Sequence, residues 1–356
     1  MGKDAFSHRT VRPPGLLAHP RECMPIYDAV LVLSFGGPEQ PDDVMPFLEN
    51  VLRGRNVPRA RMEAVAEHYH HFGGKSPIND QCRALIAALR PELDAHGLHL
   101  PIYWGNRNWH PMLADTMRQM AADGIRRALV FVTSAYSSYS ACRQYLEDIE
   151  RARMAIGIGA PVFEKLRHFN SHPGFITPNV EAVQAALAQA PGAAVLFTAH
   201  SIPLEMARTS KYVEQLEHAA RLIAEGAGGV DYQLVYQSRS GPPQQPWLEP
   251  DILKAIEAVH TRGAASVVVA PIGFISDHME VLYDLDYEAA DRARTLGLGF
   301  VRAATASTHP RFIAMIRELI EERIAGVPEA DPCRQDCCPA PLRPVSVAHT
   351  PQPPAR

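Results

Sequence analysis

The segment SDHMEVLYDLDYE, residues 276–288, sets Glu280, Asp284 and Glu288 four residues apart. At about 100° per residue, positions four apart on an α-helix drift by only about 40°, so the three carboxylates form one inclined row. Val281, Leu282 and Leu285 point in other directions and can face a core. Aligned carboxylates repel, by roughly a few tenths of a kcal/mol per pair on an exposed helix and more when buried, and a bound cation offsets that cost. A solvated face normally mixes lysines or arginines with its acids, yet no basic residue occurs between Asp277 and Arg292 apart from His278. The row reads as a solvated face or as a cation track, and its spacing alone does not choose.

A second chemical group is His200, which closes the apolar run AAVLFTAH and precedes Ser201, Ile202 and Pro203. Its imidazole titrates near neutrality, so it can serve as a base, as a metal ligand or as a structural residue. Imidazole with carboxylates is a donor set that accepts ferrous iron, manganese or zinc. Neither HExxH nor paired CxxC occurs in the body of the chain, which points away from a caged structural metal and toward an open site that holds a cation briefly. Three cysteines, Cys333, Cys337 and Cys338, crowd into DPCRQDCCPAP near the C-terminus and invite a metal reading.

The elements that position these groups follow from periodicity. Short apolar runs alternate with segments of helical spacing: AVLVLSF, then EAVAEHYHHF and QCRALIAALRPEL, then LPIYWGN, LADTMRQMAADG, ALVFVTS and CRQYLEDIERARMA. A second series runs from AAVLFTA through YVEQLEHAARLIAEGA, DYQLVYQS, LKAIEAVHTRG, SVVVAPI and LGFVRA to RFIAMIRELIEERI. Such alternation predicts βαβ units, hence two successive Rossmann-like α/β domains, each an open parallel sheet flanked by helices. The expected division is a tail over 1–27, domains over 28–191 and 192–326, and a Pro- and Cys-rich tail over 327–356. The repeat is one of architecture, without residue-by-residue correspondence.

In open parallel sheets ligands bind beyond the carboxyl ends of the strands. Those ends here carry GGPEQP, GNRNWHP, AYSSYSAC, HSIP, RSGPPQQPW and ISDHMEVLYD, a mixture of aromatic, amide, hydroxyl, histidine and acidic groups suited to a flat, mostly apolar ligand. GGPEQP is not GxGxxG and has no Walker lysine, which argues against a dinucleotide. Gly36 and Gly37 let the backbone pass close to a neighbour or to a ligand. A net charge of −4 offers no basic stripe for a phosphate backbone, so nucleic acid is not an expected partner. No apolar run reaches the roughly 18 residues of a membrane span, and the first residues lack a signal-peptide core, so a cytoplasmic location is expected.

Seven ordered blocks then resemble one family. LVLSFGGPEQPDDVMPFLENVLRGR, HHFGGKSPIN, YWGNRNWHP, TSAYSSYSACRQY, FTAHSIP, YQSRSGPPQQPWLEPDI and PIGFISDHMEVLYDLDYEA, spanning about residues 28–325, are similar to successive blocks of ferrochelatase, nearest to the bacterial branch assigned coproporphyrin III. The resemblance implies a lyase of haem biosynthesis with chelatase domains that inserts Fe²⁺ into a porphyrin, giving coprohaem and releasing two pyrrole protons. It implies His200 as proton acceptor and metal ligand, Glu280 facing it across the cleft, and Asp284 and Glu288 as the acidic path for metal or protons. Protoporphyrin IX as substrate and a non-catalytic porphyrin carrier or redox sensor are the alternatives.

The same resemblance places Phe35, Arg53, Ser76 and Tyr139 at the porphyrin, with Tyr136, Arg55 and Lys75 as auxiliaries. Phe35 stands where related enzymes often have tyrosine, and a phenyl ring can stack but cannot ligate iron. Leu52 replaces the first arginine of the family's paired pattern. Cys142 with Cys333, Cys337 and Cys338 supplies the four thiolates of the [2Fe–2S] cluster that some members carry. A monomer that passes its product to a coprohaem-processing enzyme is the expected assembly.

Overall fold

The structure, a computed structural model, describes residues 27–54, 57–242, 244–329 and 336–340. Strands β1 (Ala29–Ser34), β2 (Ile102–Asn106), β3 (Arg127–Val132) and β4 (Val162–Lys165) form a parallel sheet in the order β2-β1-β3-β4. Strands β5 (Ala194–His200), β6 (Tyr232–Gln237), β7 (Ser266–Ala270) and β8 (Gly299–Arg302) repeat it as β6-β5-β7-β8. All six residues of β1 are buried, because helices cover both faces of its sheet and leave no solvated side to alternate toward. Edge strand β4 escapes the apolar pattern: Val162 is exposed, and Glu164 pairs with Arg127 and Arg323.

In each sheet the strand order reverses beside the first strand, which opens a crevice at the carboxyl ends between β1 and β3 and between β5 and β7. The two sets of ends face each other. Tyr136, just past β3, is buried and its hydroxyl donates to the carbonyl of Ile272, just past β7, at 2.9 Å. It is a strut between the lobes. One apolar core is continuous across both lobes: Val30, Leu89, Phe131 and Phe169 join Phe175, Leu216 and Phe312.

Two helices tie the sheets together and reveal a short repeat that the sequence reading missed. His172-Pro173-Gly174-Phe175-Ile176 opens the helix Pro173–Gln189, and His309-Pro310-Arg311-Phe312-Ile313 opens the helix Pro310–Ile324. Each histidine caps its own helix, Nδ1 accepting from Gly174 N at 3.0 Å and from Arg311 N at 3.2 Å. Each also reaches the other helix, His172 Nε2 to Glu318 at 3.5 Å and His309 Nε2 to Glu181 at 3.0 Å. Proline at the first helical turn costs no hydrogen bond there. The paired Phe175 and Phe312 rings then meet in the shared core, centroids 6.3 Å apart.

Candidate functional site

His200 is the last residue of β5, and Glu280 follows the loop that leaves β7. Gly273 lets that loop lie flush against β5: its N–H donates to Thr198 O at 2.9 Å, and a Cβ there would stand 2.6 Å from Ala199 Cα. The close approach brings His200 Nε2 to 3.5 Å from Glu280 Oε1. His200 Nδ1 bonds the Ser201 carbonyl, which can only accept, so Nδ1 carries the proton and Nε2 is the atom that titrates.

The pair tunes itself. Burial by itself would lower His200, but the Glu280 carboxylate and its hydrogen bond outweigh that and raise it to about 9. Burial would raise Glu280, but His200 first and His278 next hold it down at about 2. Side-chain exposures of 29% for His200 and 49% for Glu280 leave the pair within reach of water. Nearby His278 is lowered, chiefly by burial, so a second imidazole stays neutral beside the first.

Only the first acid of the row, Glu280, stands on α-helical residues, the short turn Met279–Val281; Asp284 and Glu288 lie beyond it. Residues Leu282–Ala289 form a π-helix, whose i→i+5 bonding adds residues to each turn and lines up positions four apart more nearly than α geometry does. Asp284 accepts from Ser238 Oγ and, at 3.4 Å, from Gln237 Nε2. Burial first, then the neighbouring charge of Glu280, raises Asp284 to about 7, against the Ser238 hydrogen bond that pulls it down. Glu288, farther out, is raised by burial and by Asp251.

The other two acids of the stretch are structural, because Arg302 holds Asp277 at 2.9 Å and Asp286 at 2.5 Å. Across the cleft, His68 of the helix Arg59–His71 stacks on Tyr283, centroids 3.7 Å apart and 5° from parallel, and His71 tilts against Tyr287. The π-helix is thus gripped by the first lobe. Among the described residues no three His, Cys, Asp or Glu side chains converge to cage an ion, so the potential holders of a cation are spread along the row.

At the first sheet, Phe35 follows β1 and is partly exposed, edge-on to Phe47, with the Arg107 guanidinium 6.0 Å from its ring. Tyr139 begins a second π-helix, Tyr139–Arg143, and donates to Glu147 at 3.0 Å. Ser76 is buried against Gly37, where an added Cβ would stand 2.7 Å from Ser76 Cβ, and Gly36 is equally tight against Asn106. The two glycines thus serve close backbone packing. Arg53 is exposed, Lys75 pairs with Asp80 at 2.6 Å, and Arg55 lies outside the described residues.

Cys142 is buried in that second π-helix, and its neighbour Arg143 donates to the Cys337 carbonyl at 3.2 and 2.9 Å. The described part of the C-terminal segment, with Cys338 also buried, therefore lies against the element that carries Cys142. Cys333 lies outside the described residues.

Sequence reasoning overlooked Gln237, Ser238 and His278, although two lie in YQSRSG and one in SDHME, both at strand ends. A buried amide has no charge or periodicity to announce it. Ser238 carried a faint signal, lying between Gln237 and Arg239 where the strand turns; its φ of +62° is unusual for a side chain with a Cβ.

The sequence matches the ferrochelatase family profile over residues 27–324. It is 56% identical to the ferrochelatase of Rhodopirellula baltica, covering 88% of this chain and 94% of that one. It is 50% identical to the coproporphyrin III ferrochelatase of Nocardia farcinica, covering 90% and 98%, and 53% identical to that of Streptomyces coelicolor, covering 86% and 88%. The solved structure of SirB from Bacillus subtilis with Fe³⁺ superposes with a TM-score of 0.51 at 12% identity, covering 85% of this chain and 97% of that one, a likeness of fold.

Proposed function

The chain belongs to the ferrochelatase family of enzymes, and from that premise we propose that it inserts Fe²⁺ into coproporphyrin III to give coprohaem, releasing two protons, in haem synthesis. The observation that carries the proposal is the 3.5 Å His200–Glu280 pair at the switch-point crevice, with the Asp284–Glu288 row running outward behind it. The coproporphyrin names of the Nocardia and Streptomyces relatives support the substrate.

Metallation exchanges two pyrrole protons for one divalent ion, so charge must be answered at every intermediate stage. Carboxylates along the row offset the charge of iron as it sheds water. When the cation reaches Glu280 it neutralises the charge that kept His200 protonated. Burial then lowers the imidazole, which sends its proton outward and becomes a base at Nε2 for a pyrrole N–H. Asp284, raised to about 7 while Glu280 keeps its charge, can hold a proton near neutral pH until the cation arrives and displaces it. Phe35 offers a face for the macrocycle, and walls braced by the Tyr136–Ile272 strut can hold the ring bent toward the incoming metal.

We also propose that Cys142, Cys333, Cys337 and Cys338 hold a [2Fe–2S] cluster. The Arg143–Cys337 hydrogen bonds support the reading, because they bring the Cys337–Cys338 segment to the element that carries Cys142, although among the described residues no three thiols converge. When bound, the cluster supplies redox sensing or a staple for the tail, neither of which the metallation step requires.

Anaerobic incubation with Fe²⁺ and either coproporphyrin III or protoporphyrin IX, followed by absorption spectra, tests the reading. Metallation of coproporphyrin in preference is the expected result. Preference for protoporphyrin would reassign the substrate, and tight porphyrin binding without metallation would reduce the protein to a carrier.

A further inference from the structure

Gln237 is 1% exposed, yet every polar atom of its side chain is engaged, and the partners belong to the site. Oε1 accepts from Thr198 Oγ1 at 2.9 Å, two residues before His200 on β5. Nε2 donates to the main-chain carbonyl of Glu280 at 3.0 Å and to the Asp284 carboxylate at 3.4 Å. The backbone of Gln237 is also the register partner of His200, and its carbonyl accepts from Ser201 N at 2.7 Å. Ser201 in turn supplies the carbonyl that fixes the His200 ring.

One residue therefore touches both sides of the crevice, through its main chain on the histidine side and its amide on the carboxylate side. We propose that Gln237 is a positioning residue of metallation, which sets the gap between His200 and the first two carboxylates of the row. The inference rests on the metallation reading above.

An amide is the group this place calls for. It offers one acceptor to Thr198 and two donors to two acceptors, so its orientation is fixed without adding charge beside Glu280 and Asp284. Glutamate of the same shape would present a carboxylate to a carbonyl and a carboxylate. Asparagine is one methylene too short, and methionine keeps the volume and loses all three bonds. A residue selected for packing alone would not need the amide, and a Met would serve as well.

Steady-state kinetics separate the two roles, because a misplaced row weakens handling of the cation while leaving the porphyrin surface intact. With Gln237→Met, KM for Fe²⁺ should rise about tenfold while KM for coproporphyrin stays within about twofold, and Gln237→Glu should be at least as impaired. Thr198→Val, which keeps shape and removes only the bond that orients the amide, should shift the Fe²⁺ value in the same direction by about threefold. Unchanged Fe²⁺ dependence in these variants, or a parallel rise for both substrates, would overturn the proposal. If Gln237→Met yields no folded protein, the same selective shift or its absence in Thr198→Val decides. A wild-type protein that metallates nothing would strike the functional reading instead.

Discussion

His200 Nε2 and Glu280 Oε1 face each other at 3.5 Å, and each holds the other in its charged form, His200 raised to about 9 and Glu280 lowered to about 2. The metal-free enzyme therefore stores its base as an imidazolium. The raised histidine contributes stability that is complete below its free value of 6.5 and fades as pH climbs through about 9. The lowered glutamate contributes stability that is complete above 4.5 and fades as pH falls through about 2.

The melting-temperature advantage of the wild type over Glu280→Gln should be widest between pH 4.5 and 6.5 and shrink toward pH 9. In that variant the chief counter-charge is gone, so the His200 titration followed by NMR should fall from about 9, with the Ser201 bond and Asp284 still holding it up in part. An unmoved titration would mean that something other than Glu280 sets it. His200→Ala, lacking the base, should lose about 10²–10⁴-fold in metallation while remaining folded, as read by anaerobic turnover and circular dichroism.

Asp284 sits behind Glu280 and its shift runs the other way, up from 3.8 to about 7. The protonated acid is the form the fold prefers, so its contribution is full below pH 3.8 and is lost as pH rises through about 7. Asp284→Asn should melt a few degrees higher than the wild type at pH 8, and the difference should close near pH 4. Turnover should fall in the same variant, since the amide holds cations poorly. Calorimetry at the two pH values checks the first claim, and an equal offset at both would refute it.

How much of this was legible follows residue by residue. His200 could be found because it ends an apolar strand, and open sheets bind at strand ends; the carboxylate row could be found because its acids lack nearby cations. The π-helix could not, since nothing in LYDLDYEA distinguishes i→i+5 from i→i+4 bonding, and the choice is made by packing. Asp277 and Asp286 looked like Glu280 and Asp284, and only Arg302, brought over by the pairing of β8 with β7, sorts the structural acids from the functional ones. The helix Pro173–Gln189 was hidden by Pro173 and Pro178, although its HPGFI opening matches the HPRFI of the last helix.

That sorting has a thermodynamic consequence. Arg302 is 18% exposed and lies between Asp277 at 22% and Asp286 at 31%. Its removal leaves two half-buried carboxylates without a counter-charge, which costs more than the lost contacts themselves. Arg302→Met should lower unfolding free energy by about 3 kcal/mol in denaturant titrations, whereas Arg59→Met, which breaks the exposed pair with Glu63, should change it by less than about 0.5 kcal/mol. Equal effects would show that the Asp277–Arg302–Asp286 cluster is no more than a surface pair.

The cysteine assignment is open to the same kind of contrast. Cys82 is also buried, but on the helix Ile78–Ala95 beneath the first sheet, and burial raises its thiol to about 11, which keeps it protonated and inert. Cys142 differs because Arg143 and the Cys337–Cys338 segment stand beside it. Protein purified anaerobically should contain about two irons and two acid-labile sulfides per chain, with visible absorption that a chelator at low pH removes. Cys142→Ser and Cys338→Ser should each abolish that absorption, and Cys82→Ser should leave it intact. Arg143→Ala should speed loss of the chromophore, because two hydrogen bonds that dock the tail at Cys337 are gone. A colourless wild type after reconstitution with iron and sulfide would end the cluster assignment. Retention of the spectrum in Cys142→Ser would end this residue's part in it.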